Sequence, residues 1–70
     1  ERAKLITDTQ MALARLGYEA GPPTGKMNGL TELAIKQFQK DNFLPTSGQP
    51  SLSLLTIIEN EVEARQAEYR

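Results

Sequence analysis

The stretch Thr31-Glu-Leu-Ala-Ile-Lys-Gln-Phe-Gln39 decides the fold predicted for this chain. Its apolar residues recur at the three- and four-residue spacing that is typical of a helix with one buried face. The predicted inner face consists of Leu30, Ala34, Ile35 and Phe38. We therefore predict a helix from about Gly29 to Asn42, and Pro45 prevents it from continuing.

The start of this helix carries two candidate caps. The side chain of either Asn28 or Thr31 can accept a hydrogen bond from an unpaired N–H of the first turn. Between this helix and the one before it, the loop of residues 19–28 contains two Pro and two Gly, which exclude helix and sheet interiors. Met27 is predicted to anchor the loop in the core, and Gly25 to adopt a turn conformation.

A second helix is predicted upstream, from about Ala3 to Leu16. Its apolar stripe is formed by Ile6, Leu13 and Leu16. Gly17 fits the left-handed position that closes a helix, because it has no Cβ to clash. Tyr18 is expected to fold back over the last turn.

A third helix is predicted to start near Ser51, whose hydroxyl is a good cap. One face runs through Leu55, Ile58, Val62 and Tyr69, and Leu52, Leu54 and Ile57 are expected to widen its start. No charged residue occurs between Asn42 and Ile58, so we expect this stretch to be the most buried part of the fold. The predicted core contains Ile6, Leu13, Leu16, Ile35, Phe38, Leu44, Leu55 and Ile58.

The chain shows a faint internal echo. Pro23-Thr-Gly25 precedes the second predicted helix of the chain, and Pro45-Thr-Ser-Gly48 precedes the third. Each glycine comes a few residues before a capped apolar helix. The echo favours two similar turn–helix units.

Length and composition limit the possible functions. Seventy residues form one small domain, with a core at about 5–60 and a helical extension or tail at 61–70. Because the chain starts with Glu rather than Met, we interpret it as a fragment of a larger protein. The absence of Cys and His removes the thiol nucleophile, the usual acid–base group at neutral pH and the commonest metal ligand. Catalysis would need carboxylates or Lys, and Asp8, Glu32 and Asp41 are scattered, so we expect no catalytic residues, metal or cofactor.

Charge and hydropathy exclude two further classes of partner. A net charge of −1 offers no basic surface for nucleic acid. No apolar run approaches the roughly 20 residues of a membrane span.

The order and spacing of these residues resemble the small three-helix peptidoglycan-binding domain family over about Ile6 to Ile58. The matching positions are Gln10, Leu13, Leu16, Gly17, Tyr18, Gly25, Thr31, Ala34, Ile35, Phe38, Gln39, Leu44, Gly48, Leu55 and Ile58. The resemblance implies an all-α three-helix bundle with Gly/Pro-rich connecting loops. It also implies noncatalytic binding of the bacterial cell wall, in the periplasm or cell envelope.

The chain departs from the family pattern at several positions. Thr24 stands where the family usually has Asp, and Asn28 and Phe43 each replace a common Gly. Leu54 replaces a common Thr. We expect these changes to preserve the fold, and those in the loop to bear on ligand binding.

Several polar residues are candidates for specific roles. Gln10 and Gln39 are expected to bond loop backbone groups that would otherwise be unpaired. The candidate ligand contacts are Arg15, Tyr18, Thr24, Lys26 and Asn28. Cationic groups could pair with stem-peptide carboxylates, amides and hydroxyls could bond amides or sugar hydroxyls, and the tyrosine ring could lie on a sugar. An ordinary solvated surface is the alternative for each residue.

Two functions follow as hypotheses. The first is a noncatalytic module that binds the peptidoglycan glycan strand or stem peptide and anchors a larger envelope protein. The second is a protein–protein interaction or scaffold domain that has lost wall binding. Its partner would dock on helix three, through Leu52, Leu54, Ile57 and the tail to Arg70, and the departures at Thr24 and Asn28 favour it.

Overall fold

The computed structural model describes residues 1–68, which form three helices and contain no strand. The helices are α1 (Arg2–Arg15), α2 (Gly29–Asp41) and α3 (Leu52–Glu68). Helix α1 packs against both α2 and α3. The predicted all-α, three-helix architecture is confirmed, and the predicted ends of α1 and α2 are correct to within one residue.

The core lies where the three apolar stripes meet. Its buried apolar residues are Ile6, Ala12, Leu13, Leu16, Ala20, Ala34, Ile35, Phe38, Leu54, Leu55, Ile58 and Val62. Every residue of the predicted core is buried except Leu44, which is half-buried and packs against the cluster. Met27 is also half-buried against the core, in agreement with its predicted role as the anchor of the loop.

The inner face of α2 differs from the prediction at one position. Leu30 is exposed, and the neighbouring Thr31 is buried in its place. Thr31 lies three, four and seven positions before Ala34, Ile35 and Phe38, so it shares their buried face, whereas Leu30 is rotated by about 100° from Thr31. Thr31 can occupy the buried position because its hydroxyl is hydrogen-bonded there.

The predicted width of the buried face of α3 was also wrong. Leu54 is buried as expected, but Leu52 is 72% exposed and Ile57 is 39% exposed. The segment from residue 42 to residue 58 is mostly exposed rather than the most buried part of the fold. Absence of charge therefore does not indicate burial here. The expected continuation of the apolar face to Tyr69 lies outside the described residues.

Side-chain caps begin α2 and α3 as the sequence indicates. The Asn28 side-chain oxygen accepts a hydrogen bond of 2.9 Å from the N–H of Thr31. The Ser51 hydroxyl accepts one of 3.1 Å from the N–H of Leu54. Both bonds satisfy donors that a helix start leaves unpaired.

A left-handed residue closes α1. Gly17 has φ +91°, and its N–H donates to the carbonyl of Ala14 at 3.0 Å. The N–H of Tyr18 donates to the carbonyl of Leu13, also at 3.0 Å. This pair of bonds is the Schellman motif, and it confirms the role predicted for Gly17.

Helix α2 closes with the same motif but without a glycine. Phe43 takes the left-handed position, with φ +59°. Its N–H donates to the carbonyl of Lys40 at 3.2 Å, and the N–H of Leu44 donates to the carbonyl of Gln39 at 2.8 Å. A bulky side chain in this conformation is strained, because its Cβ crowds the backbone.

Phe38 is the largest fully buried side chain, and its truncation tests the core. We expect Phe38→Ala to lower the free energy of unfolding by about 3–5 kcal/mol, because it removes a ring and leaves a cavity. Urea denaturation measures the loss. Leu33→Ala on the exposed side of the same helix is the matched control, and its unfolding midpoint should barely change. A Phe38→Ala midpoint equal to that of the control would remove Phe38 from the core.

Candidate functional site

The side-chain amide of Gln10 holds the loop between α1 and α2. Its Oε1 accepts a hydrogen bond of 3.1 Å from the N–H of Gly25. Its Nε2 donates to the carbonyl of Lys26 at 3.1 Å and to the hydroxyl of Thr31 at 2.9 Å. We call this arrangement the Gln10 clamp. Since Gln10 is almost completely buried, each of these bonds replaces one that water would have made.

The Thr31 hydroxyl extends the Gln10 clamp to the other end of the loop. It donates to the carbonyl of Ala20 at 2.7 Å while accepting from Gln10. Among the described residues, no buried side-chain nitrogen or oxygen lacks a partner. The loop is therefore fixed near both of its ends by one buried polar network.

Gln39 makes an equivalent clamp at the end of α2. Its Oε1 accepts from the N–H of Gly48 at 3.0 Å, and its Nε2 donates to the hydroxyl of Ser47 at 3.0 Å. Gly25 and Gly48 each precede the capping residue of the next helix by three positions. The geometry agrees with the internal echo of the sequence, and it confirms the structural role predicted for both glutamines.

Both clamped glycines approach the preceding helix closely. A Cβ on Gly25 would lie 2.9 Å from the Thr7 hydroxyl and 3.0 Å from the backbone carbonyl of Ala3. A Cβ on Gly48 would lie 2.8 Å from Cε of Lys36 and 3.0 Å from Cγ of Glu32. A Cβ on Gly25 would therefore meet backbone, whereas a Cβ on Gly48 would meet only side chains.

Tyr18 links the ends of α1 and α2. Its ring meets that of Phe38 edge-on, with centroids 5.9 Å apart and an interplanar angle of 80°. Its hydroxyl donates to Oδ2 of Asp41 at 2.5 Å. Burial of the phenol, followed by the hydrogen bond to Asp41 and the charge of that carboxylate, raises the pKa of Tyr18 to about 12.

Three of the predicted ligand contacts lie in the clamped loop. Thr24, Lys26 and Asn28 are all exposed. The Thr24 hydroxyl accepts from the N–H of Lys26 at 3.2 Å, while the oxygen of Asn28 is occupied by the cap of α2. This part of the loop thus presents one ammonium, one hydroxyl and one amide NH₂ group to a ligand.

The other two predicted contacts lie towards the opposite end of α1. The loop contacts α1 at Ala3, Thr7 and Gln10, whereas Arg15 is five residues beyond Gln10, about 7 Å further along the axis. Tyr18 lies beyond Arg15, at the end of the helix. The structure therefore brings three of the five together and separates them from the remaining two.

One further basic residue, Arg65, was not predicted as a ligand contact. Arg65 and Arg15 line the same surface hollow, and Nη1 of Arg65 donates to the carbonyl of Leu16 at 3.3 Å. The only relevant pattern in the sequence is the spacing of Glu61 and Arg65, which form an ion pair at 3.5 Å. That pattern does not reveal a contact with another helix.

The described residues contain neither a membrane-spanning helix nor a cluster of metal ligands. None of the helices there is long and apolar enough to cross a membrane. Within residues 1–68, no three or more Asp, Glu, His or Cys side chains are grouped so as to hold a metal ion.

The helix order, the Gln10 clamp and the Gly-rich loop together define a small domain of three α-helices. The family model described as "Putative peptidoglycan binding domain" matches residues 2–58, and the chain belongs to this family. The match covers all of α1 and α2 and the beginning of α3. Comparisons with curated proteins and with solved structures give no match.

Substitution of three left-handed glycines separates backbone strain from steric conflict. Gly17→Ala should lower the free energy of unfolding by about 1–2 kcal/mol. The space around Gly17 is open, so only the positive φ is penalised. Gly48→Ala should cost more than Gly17→Ala but less than Gly25→Ala, since a Cβ there would meet Lys36 and Glu32 side chains, including their Cγ atoms, but no backbone. Gly25→Ala should cost about 2–5 kcal/mol, because the carbonyl of Ala3 cannot move. Chemical denaturation of the three variants measures the order, and equal losses would contradict the steric argument.

Tyr18 should make stability depend on pH in the alkaline range. Its pKa is about 12 in the folded chain and 10.0 in the ordinary state, so the folded form retains the proton more strongly. The resulting stabilisation is complete below pH 10 and is lost as the pH rises towards 12. Tyr18→Phe keeps the ring but cannot titrate, so its free energy of unfolding should fall less over this interval.

Urea titrations of both proteins at a series of pH values give the comparison. Asp41→Asn should retain part of the dependence, because burial is the largest cause of the raised pKa. Parallel curves for the wild type and Tyr18→Phe would contradict the assignment.

Proposed function

We propose that this chain is a noncatalytic module that binds peptidoglycan and holds a larger bacterial envelope protein against the cell wall. The observation that carries the proposal is the family match over residues 2–58. The proposal includes a location in the periplasm or cell envelope, where the polymer is found. Repeated epitopes on one polymer make weak single-site affinity sufficient for retention.

The clamped loop supports this function. Hydrogen bonds between the loop backbone and the side chains of Gln10 and Thr31 fix the loop before a ligand arrives, so little conformational entropy is lost on binding. Lys26 can pair with a stem-peptide carboxylate, and Thr24 can bond an amide or a sugar hydroxyl. The hollow beside Arg15 and Arg65 offers a second place for a carboxylate.

The alternative is a protein–protein interaction or scaffold domain on the same fold. The exposure of Leu52 and Ile57 on α3 favours it, because apolar side chains in water often mark contact surfaces. These two residues are five positions apart, however, which places them about 140° apart around the helix. Leu54 between them is buried, so α3 lacks a continuous apolar stripe for a partner.

Cosedimentation with purified sacculi tests the binding function. We expect the domain to pellet with sacculi and to be released by soluble muropeptides, whereas an unrelated helical protein of similar size stays in solution. Lys26→Ala should weaken retention about twofold to tenfold, the range for one lost polar contact. Lys40→Ala, which removes an exposed lysine from the last turn of α2, is the matched control and should bind as the wild type does.

Two results would contradict the proposal at different levels. Wild-type protein that pellets no better than the unrelated protein would exclude wall binding. Equal retention of both lysine variants and the wild type would leave wall binding intact and remove Lys26 from the site.

A further inference from the structure

An exposed surface without charge runs from the end of α2 into α3. We call residues 42–58 the uncharged segment, since no Asp, Glu, Lys or Arg occurs in it. Most of its residues are exposed. Protein surfaces usually carry charged side chains at about a quarter to a third of positions. A surface of this length without a charge therefore needs a reason other than burial.

Phe43 is the most unusual residue of the uncharged segment. Its ring is 96% exposed, so it contributes almost nothing to the core. Its φ of +59° is the conformation in which glycine is favoured, and the Schellman motif at this point requires it. The chain thus places a large aromatic side chain in water at a position where it also strains the backbone. Backbone strain that stabilises no other part of the structure is found mainly at functional sites.

A shallow groove of about 220 Å³ begins at the residue after Phe43. Its apolar lining is formed by Leu44, Pro45, Leu54 and Ile57. Ser47 and Ser53 also line it, and no charged residue does. Phe43 directly precedes Leu44, the first residue after α2 that lines the groove.

The chemistry of this surface distinguishes between the two parts of peptidoglycan. Stem peptides carry carboxylates and amines, which seek opposite charges. The glycan strand consists of N-acetylated sugars whose rings have an apolar C–H face and whose edges carry hydroxyl and amide groups. An exposed ring with an electron-rich face complements the C–H face, and serine hydroxyls complement the edges.

Resting on the proposed wall-binding function, we propose that Phe43 and the adjoining groove bind the neutral glycan strand, with the phenyl ring stacked on a sugar. Other hollows on the described residues differ in charge. One is lined by Arg15, Glu59 and Glu63, and another contains Arg15 and Arg65. Uncharged polar and apolar groups complement a neutral sugar chain without leaving a desolvated charge unpaired.

Phe43→Gly is the decisive variant because it removes the ring and relieves the backbone. Its melting midpoint should equal or exceed that of the wild type. The ligand is glycan strands freed of stem peptides by an amidase, with the lactyl carboxylates that this exposes converted to amides, so that the strand is neutral as in the intact polymer. The Kd of Phe43→Gly for these denuded strands should rise about tenfold, the effect of losing one stacked aromatic contact. Leu33→Ala removes a comparable exposed apolar side chain outside the segment and should leave the Kd unchanged.

Ser53→Glu tests the requirement for an uncharged groove. This residue lies in the first turn of α3, where a carboxylate is compatible with the helix dipole, so the fold should be retained. The charge should weaken glycan binding, because it would be desolvated under a neutral ligand. In NMR titrations of the wild type, denuded glycan strands should shift the amide signals of Phe43, Ser53 and Ile57. Isolated stem peptides should leave these three signals in place.

The outcomes separate this inference from the proposed function. Wild-type binding to sacculi that Phe43→Gly and Ser53→Glu both retain in full would overturn the glycan site alone. Failure of the wild type to bind either sacculi or denuded glycan would overturn both proposals. Concentration-dependent dimerisation that Phe43→Gly abolishes, without any glycan-induced shifts, would assign the surface to a second copy of the chain.

Discussion

The hydrogen bonds of one buried side chain, Gln10, are the constraint on which the rest of the structure depends. A primary amide can donate two hydrogen bonds while its oxygen accepts others, so it can pair with two successive backbone groups of a passing loop. Here it pairs with the N–H of Gly25 and the carbonyl of Lys26, and it reaches Thr31 on α2. Without it the buried N–H of Gly25 would be dehydrated and unpaired, at a cost of about 1–3 kcal/mol. An irregular loop can therefore lie against α1 without regular secondary structure.

The same clamp occurs twice in this small fold. Gln39 holds the turn before α3 through the N–H of Gly48, as Gln10 holds the loop before α2. In both units the clamped glycine rests on the residues three and seven positions before the glutamine. The units differ in what a side chain would meet at the glycine, since backbone blocks Gly25 and mobile side chains block Gly48. Similar local geometry thus permits different tolerance to mutation.

Much of the fold could be predicted from the sequence because each helix is marked by periodicity, α2 and α3 by a cap, and α1 and α2 by a terminating residue. The roles of the two glutamines followed from the rule that buried backbone groups need partners. Periodicity alone did not give the width of each buried stripe, which is why Leu30, Leu52 and Ile57 were assigned to the inside. The exposure of Phe43 and the contact from Arg65 to Leu16 depend on how helix ends meet in space, which spacing along the chain does not specify.

The number of residues between the groups that each clamp joins affects the order in which the chain folds. Gln10 bonds to groups 15 to 21 residues away, and Gln39 bonds to groups 8 and 9 residues away. Loops of this size close quickly and at modest entropic cost. The bond from Arg65 to Leu16 spans 49 residues and can form only when α3 returns to α1. We infer that α1, the loop and α2 form the nucleus of a fast folding reaction, and that the second half of α3 docks last.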